Sequence, residues 1–449
     1  MGLTTQIAQF ASDPSWTIPD ARIMGSVRNG FIDTVGTLLA GQQEPVVKIL
    51  QAYVQSQGAP RNEATVLFGQ ECASSSDAAL INGTAAHALD YDDVGLSGHP
   101  SAVLVSALLA EGERLHCSGA QVMRAYLVGY ETWAELIGRD ADQHHAKGWH
   151  PTSVFGVVGV AAAVANLRGI PMPVCVNALG IAATSAGGLV ANFGSMCKPF
   201  HAGRAAASGI QAVNLAQAGM VASPDVLEHH SGFLAALSPK GRFDAQRQAT
   251  LGTELHFARL GLVIKKYPMC FATHRIIDAA LDLVREHDFR AEDVVSIQTS
   301  IGATQASMLR NHQPQSALQA KFSIEFAVAA AIVARSLGLA ELQDAFVQRK
   351  DVQALFGLVQ ISEATGTDPA EPSLSKSDRL IIHLHDGRRL DSGEVYAARG
   401  SAGSPLTEAD LRAKFMDCAA SVNWPDAPRL FSRWCELAAT DDVASLVRP

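Results

Sequence analysis

Up to about residue 260 the chain is built of apolar runs of helical length, rich in Ala, Leu, Val and Ile and punctuated by Gly and Pro, and this pattern predicts a series of helices. In SSDAALINGTAAHALDYDD, Asn82, Ala86, Leu89 and Asp93 fall at i, i+4, i+7 and i+11, so a helix running through the stretch would put all four on one face, with small neighbours leaving room around Asp93. The texture changes near Tyr267. VVSIQTSIG from Val294 and RLIIHLHDGRRLDSGEVY from Arg379 have strand-like content, and Asp386-Gly387 suits a two-residue hairpin turn. A helical pattern returns in TEADLRAKFMDCAAS, where Thr407 and Asp410 have capping-box spacing. The predicted organisation is a helical domain over 1–262, completed by 402–449, around an α+β domain at 263–401.

A chain of 449 residues and 47.4 kDa is long for a single core, which agrees with two domains. Hydrophobic residues at 48% and charged residues at 18% describe a globular protein with much covered surface. The net charge of −9, without any dense Lys/Arg cluster, argues against nucleic acid, so an acidic ligand must be captured by local positive groups. The 7 cysteines are scattered, outside zinc-ribbon or disulfide-framework spacing. The start MGLTTQIAQFASDPSW lacks a basic leader, and VFGVVGVAAAVA from Val154 is too short to span a bilayer, so a cytoplasmic protein without membrane contact is expected.

The densest chemistry lies in HALDYDDVGLSGHP, from His87 to Pro100, which holds three aspartates, a tyrosine and two histidines. Pro100 favours the first turn of a helix and so places His99 at its N-cap, beside outward-pointing backbone N–H groups. The same device recurs at His150 before Pro151 in GWHPTS, and at Lys198 before Pro199 in MCKPFHAGRA, with His201 and Arg204 following. In YPMCFATHRII, Thr273 would cap a helix with His274 in its first turn. Helix N-termini attract anions and disfavour imidazolium, so these histidines would stay neutral around a carboxylate-rich ligand. Asp93 and His99 then read as an orienting acid and an acid/base group joined by a flexible VGLSG loop. H-E-x-x-H, G-x-S-x-G, Walker A and post-strand G-x-G-x-x-G motifs are absent, and no ligand set has metal spacing.

INGTAAHALDYDDVGLSGHPSAVLVSALLAEGE, GWHPTSVFGVVGVAAAVANLRG, GSMCKPFHAGRAAASG, YPMCFATHRIIDAAL, AKFSIEF and PLTEADLRAKFMDCA resemble, in order, the signature stretches of the MmgE/PrpD family, over nearly the whole chain. That family includes 2-methylcitrate dehydratase, cis-aconitate decarboxylase and iminodisuccinate epimerase. The resemblance implies a mostly α protein with an inserted α+β lid domain, a homodimer, and catalysis without metal or cofactor on a small polycarboxylate. Its active-site positions fall on Asp93, His99, His150, Lys198 and His274. One of His150 and His99 would be general base and the other general acid, Lys198 would stabilise charge at the carboxylate, Asp93 would orient an imidazole, and His274 would be a lid-side contact. His201, Arg204 and Thr152 would bind substrate. Many family lyases read KFSLPY where this chain has KFSIEF, so Phe326 stands where a phenol is expected; the epimerase is similar here in FSIE, NFG and GWHPTS. A hydro-lyase is the leading expectation, with an imino- or amino-dicarboxylate epimerase, a cis-aconitate-type decarboxylase and a non-catalytic polycarboxylate binder as alternatives.

Overall fold

Ser75–His87 (α1) is rich in small residues, and that composition decides how the helical part packs. The computed structural model describes every residue except Pro19, Ala59, Pro60, 369–373 and Pro449. Ser74 caps α1 by accepting the Asp77 N–H at 3.2 Å. The chain continues through Pro100–Leu115 (α2), Gly119–Ile137 (α3), Gly156–Arg168 (α4) and Cys197–Gln217 (α5), all with largely buried residues. α1 crosses α5 where Gly83 meets Gly203. A Cβ on Gly203 would lie 2.0 Å from the Leu80 carbonyl oxygen, so the backbones approach this closely only because both residues lack one. The crossing carries the first turn of α5 up to the loop that leaves α1.

That loop differs from the sequence expectation. The helix stops at His87 and Asp90 takes a left-handed φ of 55°, so Asn82, Ala86, Leu89 and Asp93 do not share one helical face. The segment expected to be flexible is a tight turn. Leu96 and Ser97 both have positive φ (52° and 55°), and Gly95 and Gly98 exchange backbone hydrogen bonds at 2.9 and 2.8 Å. Pro151–Arg168, a helical stretch longer than the apolar run singled out in the sequence, is apolar enough to cross a membrane by length and composition, but 94% of it is buried inside the protein, as befits a core helix.

The chain divides into two compact units, Met1–Val263 with Cys418–Pro449, and Ile264–Asp417. The second unit packs His274–His287 (α6) and Ile324–Ala334 (α7) with a four-stranded sheet. In that sheet Val294–Ile301 (β1) pairs parallel with Val359–Glu363 (β2) and antiparallel with Arg379–Leu384 (β3), which pairs antiparallel with Arg389–Asp391 (β4). The connection from β1 to its parallel neighbour contains α7, as a parallel pair requires. The expected hairpin is β3–β4, but its turn is longer than two residues: Leu384 donates to the Arg388 carbonyl at 3.0 Å, with Gly387 at φ 90° between them. The second unit ends later than the 401 predicted. Glu408–Ala420 (α8), capped by Thr407 accepting the Asp410 N–H at 3.1 Å, is tied by Asp410 to Lys266 (2.6 Å) and by Asp417 to the Leu339 N–H (3.0 Å), so most of it belongs to Ile264–Asp417. Phe326 is fully buried in the core of this unit, its ring centroid 6.3 Å from that of Phe346.

Candidate active site

Two local devices aim histidines inward in the first unit. His99 is the N-cap of α2 with Pro100 behind it, and its backbone N–H donates to the Thr152 hydroxyl at 3.2 Å. A Cβ on Gly98 would sit 2.8 Å from the Thr152 nitrogen, so this turn can lie against the His150–Pro151 segment only with glycine there. His150 caps Pro151–Val154 and is held by its N–H to the Gly188 carbonyl at 3.1 Å. Thr152 is fully buried, and its hydroxyl accepts the His99 N–H and so helps to position that residue.

The crossing of α1 and α5 completes the site. Lys198, in the first turn of α5, extends its ammonium to Asp90 Oδ1 at 2.6 Å and lies 5.4 Å from the centre of the Phe193 ring. Asp90 Oδ1 is 3.5 Å from His99 Nε2, and Asp92 Oδ2 is 3.1 Å from His99 Nδ1. The second approach is short but lacks the alignment of a directed hydrogen bond. Asp92 also takes His87 Nδ1 at 2.9 and 3.0 Å. Basic and acidic side chains therefore alternate along Lys198, Asp90, His99, Asp92 and His87. The rings extend it: the His87 centroid is 4.2 Å from that of His99 and 6.1 Å from that of His150, and His150 Nδ1 meets His201 Nδ1 at 3.1 Å.

Burial opposes charge throughout. It pulls His87 down to about 4 against the attraction of Asp92, so the ring is neutral at pH 7. With Nδ1–H given to Asp92, His87 keeps Nε2 as an acceptor, and this atom is buried with no hydrogen-bond partner among the described residues. Burial, together with His87, Lys198, His99 and His201, holds His150 far below the ordinary imidazole value. Asp92 is fully buried, which would raise it, yet His87 and His99 overcome that and hold it well below the usual carboxylate range.

Asp93 does not face this cluster. Its carboxylate accepts the Ser101 N–H at 3.2 Å and the Ser101 hydroxyl at 2.6 Å, and the hydroxyl is also 2.8 Å from Tyr126 Oη. The imidazole contacts expected of Asp93 are made by Asp92 instead. Because α1 ends at His87, the two neighbouring acids leave the irregular segment in different directions, Asp92 to the imidazoles and Asp93 to Ser101. Burial pushes the Asp93 carboxyl up to about 8 against the pull of Ser101, with the charges of Asp33 and Asp92 adding to the rise.

Of the predicted residues, His99, His150, Lys198 and His201 meet here. Arg204, one turn beyond His201, is exposed and lines a separate cavity described below. His274 belongs to the second unit, where it is buried, packs on Tyr267 and Phe271 with ring centroids 5.2 and 5.0 Å away, and lies 3.3 Å from the Met269 carbonyl through Nε2. Thr273 stands at the N-cap of α6, but its hydroxyl donates to the Cys270 carbonyl at 2.8 Å instead of capping. His87, Asp90 and Asp92 were not singled out from the sequence; the signal present was their density in one short stretch. His87, Asp90, Asp92 and His99 bring donor atoms within 4.8 Å of one another, a set that would fit a divalent ion, yet the Lys198 ammonium already stands on Asp90 as the cation of this group.

A mostly helical unit together with a smaller α+β unit is the two-domain architecture of the MmgE/PrpD enzymes. Residues 5–246 match the MmgE/PrpD N-terminal domain and residues 267–428 the MmgE/PrpD C-terminal domain; the chain belongs to the MmgE/PrpD family. Among curated proteins it is similar to cis-aconitate decarboxylase of Mus musculus, 29% identical over 75% of this chain and 70% of that one. It is also similar to cis-aconitate decarboxylase of Homo sapiens, 26% identical over 95% of this chain and 89% of that one, and to that of Aspergillus terreus, 25% identical over 94% and 90%. These relatives are lyases by name, in agreement with the enzyme class expected from the sequence.

Proposed function

We propose that the protein is a lyase that removes CO2 from cis-aconitate or a closely similar unsaturated tricarboxylate. The observation that carries this reading is the Lys198 ammonium, held at 2.6 Å by Asp90 beside a group of buried imidazoles. Breaking a carbon–CO2 bond leaves its electron pair on carbon, spread over the adjacent double bond and carboxylate. A fixed cation lowers the energy of that charge, and a positioned N–H then delivers a proton to carbon. Lys198 supplies the first, and His150 or His99 the second, with His99 oriented by Asp90 and Asp92.

The hydro-lyase reading preferred from sequence uses the same cation and the same acid/base pair, but also a proton for a leaving hydroxyl. The relatives named as decarboxylases, aligned over most of their length, favour the decarboxylase alternative. The homodimer expected from the family resemblance belongs to the same proposal and is testable by sedimentation. Incubation with cis-aconitate should release CO2 and leave a C5 unsaturated diacid. A protein that instead hydrates cis-aconitate, or exchanges substrate C–H for deuterium without releasing CO2, would not be a decarboxylase.

A further inference from the structure

We propose that His201 is a proton relay that connects the buried His150 to solvent. The two rings face each other through Nδ1 at 3.1 Å, and both residues are buried. Two neutral imidazoles in this arrangement must be one donor and one acceptor, so one Nδ1 carries hydrogen and the other a lone pair. Burial and the surrounding histidines and Lys198 keep both rings below the ordinary imidazole value, which makes a standing imidazolium at either position unfavourable. A buried acid/base group of that kind works only if its charge is passed on as soon as it forms.

The far side of His201 provides the outlet. His201 lines a cavity of about 310 Å³ together with Ser153, Gly188, Asn192, Arg204 and Ser208. Arg204 and Cys197 at this cavity are exposed, so it communicates with solvent. The Ser208 hydroxyl is buried there with no hydrogen-bond partner among the described residues, a polar group that a water in the cavity would satisfy. Nothing in the chemistry of the Lys198 cluster requires His201, which lies a full turn further along α5.

The relay rests on the decarboxylase reading in one respect: each loss of CO2 consumes one proton at carbon. As the carbanion takes hydrogen from His150 Nε2, His150 Nδ1 takes hydrogen from His201 Nδ1, and His201 Nε2 takes one from a water-borne proton in the cavity. No ring holds a net charge at the end. The pair resets when one proton enters at His150 Nε2 in the product-free site and one leaves at His201 Nε2, so one solvent proton is consumed per turnover. His201 acts through His150 and is a positioning and relay residue rather than a catalytic one.

Two variants separate relay from support. His201→Gln can keep a hydrogen bond to His150 but cannot pass a proton through, and kcat on cis-aconitate should fall by about 100-fold with KM little changed and a larger solvent deuterium isotope effect. His201→Ala opens the ring's space onto the cavity, and added imidazole should restore turnover saturably. Exchange of the His150 ring N–H with water, followed by ¹⁵N NMR without substrate, should slow in His201→Gln. If the wild-type protein releases no CO2 but this exchange difference is present, the reaction assignment fails and the relay stands. A folded His201→Gln protein with wild-type kcat and isotope effect, or with unchanged His150 exchange, overturns the relay, as does a folded, slow His201→Ala protein that imidazole does not restore.

Discussion

The Lys198 ammonium lies 2.6 Å from Asp90 Oδ1, although the two residues are 108 positions apart in the chain. The contact places the cation of the site beside, rather than inside, the histidine cluster, and Asp90 shares the same oxygen with His99 at 3.5 Å. Lys198→Ala should therefore reduce kcat by about 100-fold to 1000-fold, by analogy with loss of one preorganised charge-stabilising donor. Lys198→Arg should also be impaired, because a planar fork spreads the charge. Steady-state kinetics on cis-aconitate decides it: normal kcat with a raised KM would make Lys198 a simple binding group.

Adjacent aspartates should behave oppositely. Asp92→Asn removes the charge that faces His87 and His99, so activity should fall steeply. Asp93→Asn keeps a carbonyl for Ser101 and touches no imidazole of the site, so kcat should stay within a few-fold of wild type. Parallel assays of the two proteins check this, and the reverse ranking would restore Asp93 as the orienting acid.

Asp93 also predicts a pH dependence of stability. Its carboxyl is raised to about 8, so between its ordinary value and 8 the folded protein binds more protons than the unfolded one. Stability from this group is present below that window and is lost as pH rises through it. His87, lowered to about 4, works in the opposite sense between 4 and 6.5, where stability rises with pH, and no longer opposes Asp93 above 6.5. The Tm of the wild type should fall between pH 6.5 and 8, and that of Asp93→Asn should fall less; equal slopes by scanning calorimetry would contradict the assignment.

Gly203→Ala should destabilise the helical unit, because its Cβ would meet the Leu80 carbonyl oxygen at 2.0 Å and force α1 and α5 apart. A cost of about 1 to 3 kcal/mol is typical of overpacking. Activity should fall as well, since the same crossing carries Lys198 to Asp90. Denaturant unfolding together with turnover would reveal a protein in which either property is untouched.

Turnover should survive exhaustive EDTA treatment, because Lys198 serves as the cation of the His87, Asp90, Asp92 and His99 group. Activity lost to EDTA and restored by Mg²⁺, Fe²⁺ or Zn²⁺ would instead assign those four donors to a metal.

What was legible in the sequence was local. Pro100 and Pro151 announce helix starts and put His99 and His150 at N-caps because proline presets φ and lacks an N–H, a preference that acts between neighbours. Thr407 and Asp410 announce the cap of α8, and the β-branched run from Val294 announces the central strand, for the same reason. What only the tertiary structure decided depends on where α1 ends and how it crosses α5. The left-handed turn at Asp90 sends Asp92 to the histidines and Asp93 to Ser101, and no helical periodicity carried past His87 could tell the two acids apart. The meeting of Gly83 with Gly203 joins Lys198 to Asp90, and the packing of the same helix against the His150 segment joins His201 to His150. Such pairings are set by backbone approach between distant segments, which residue type and spacing along one chain do not encode.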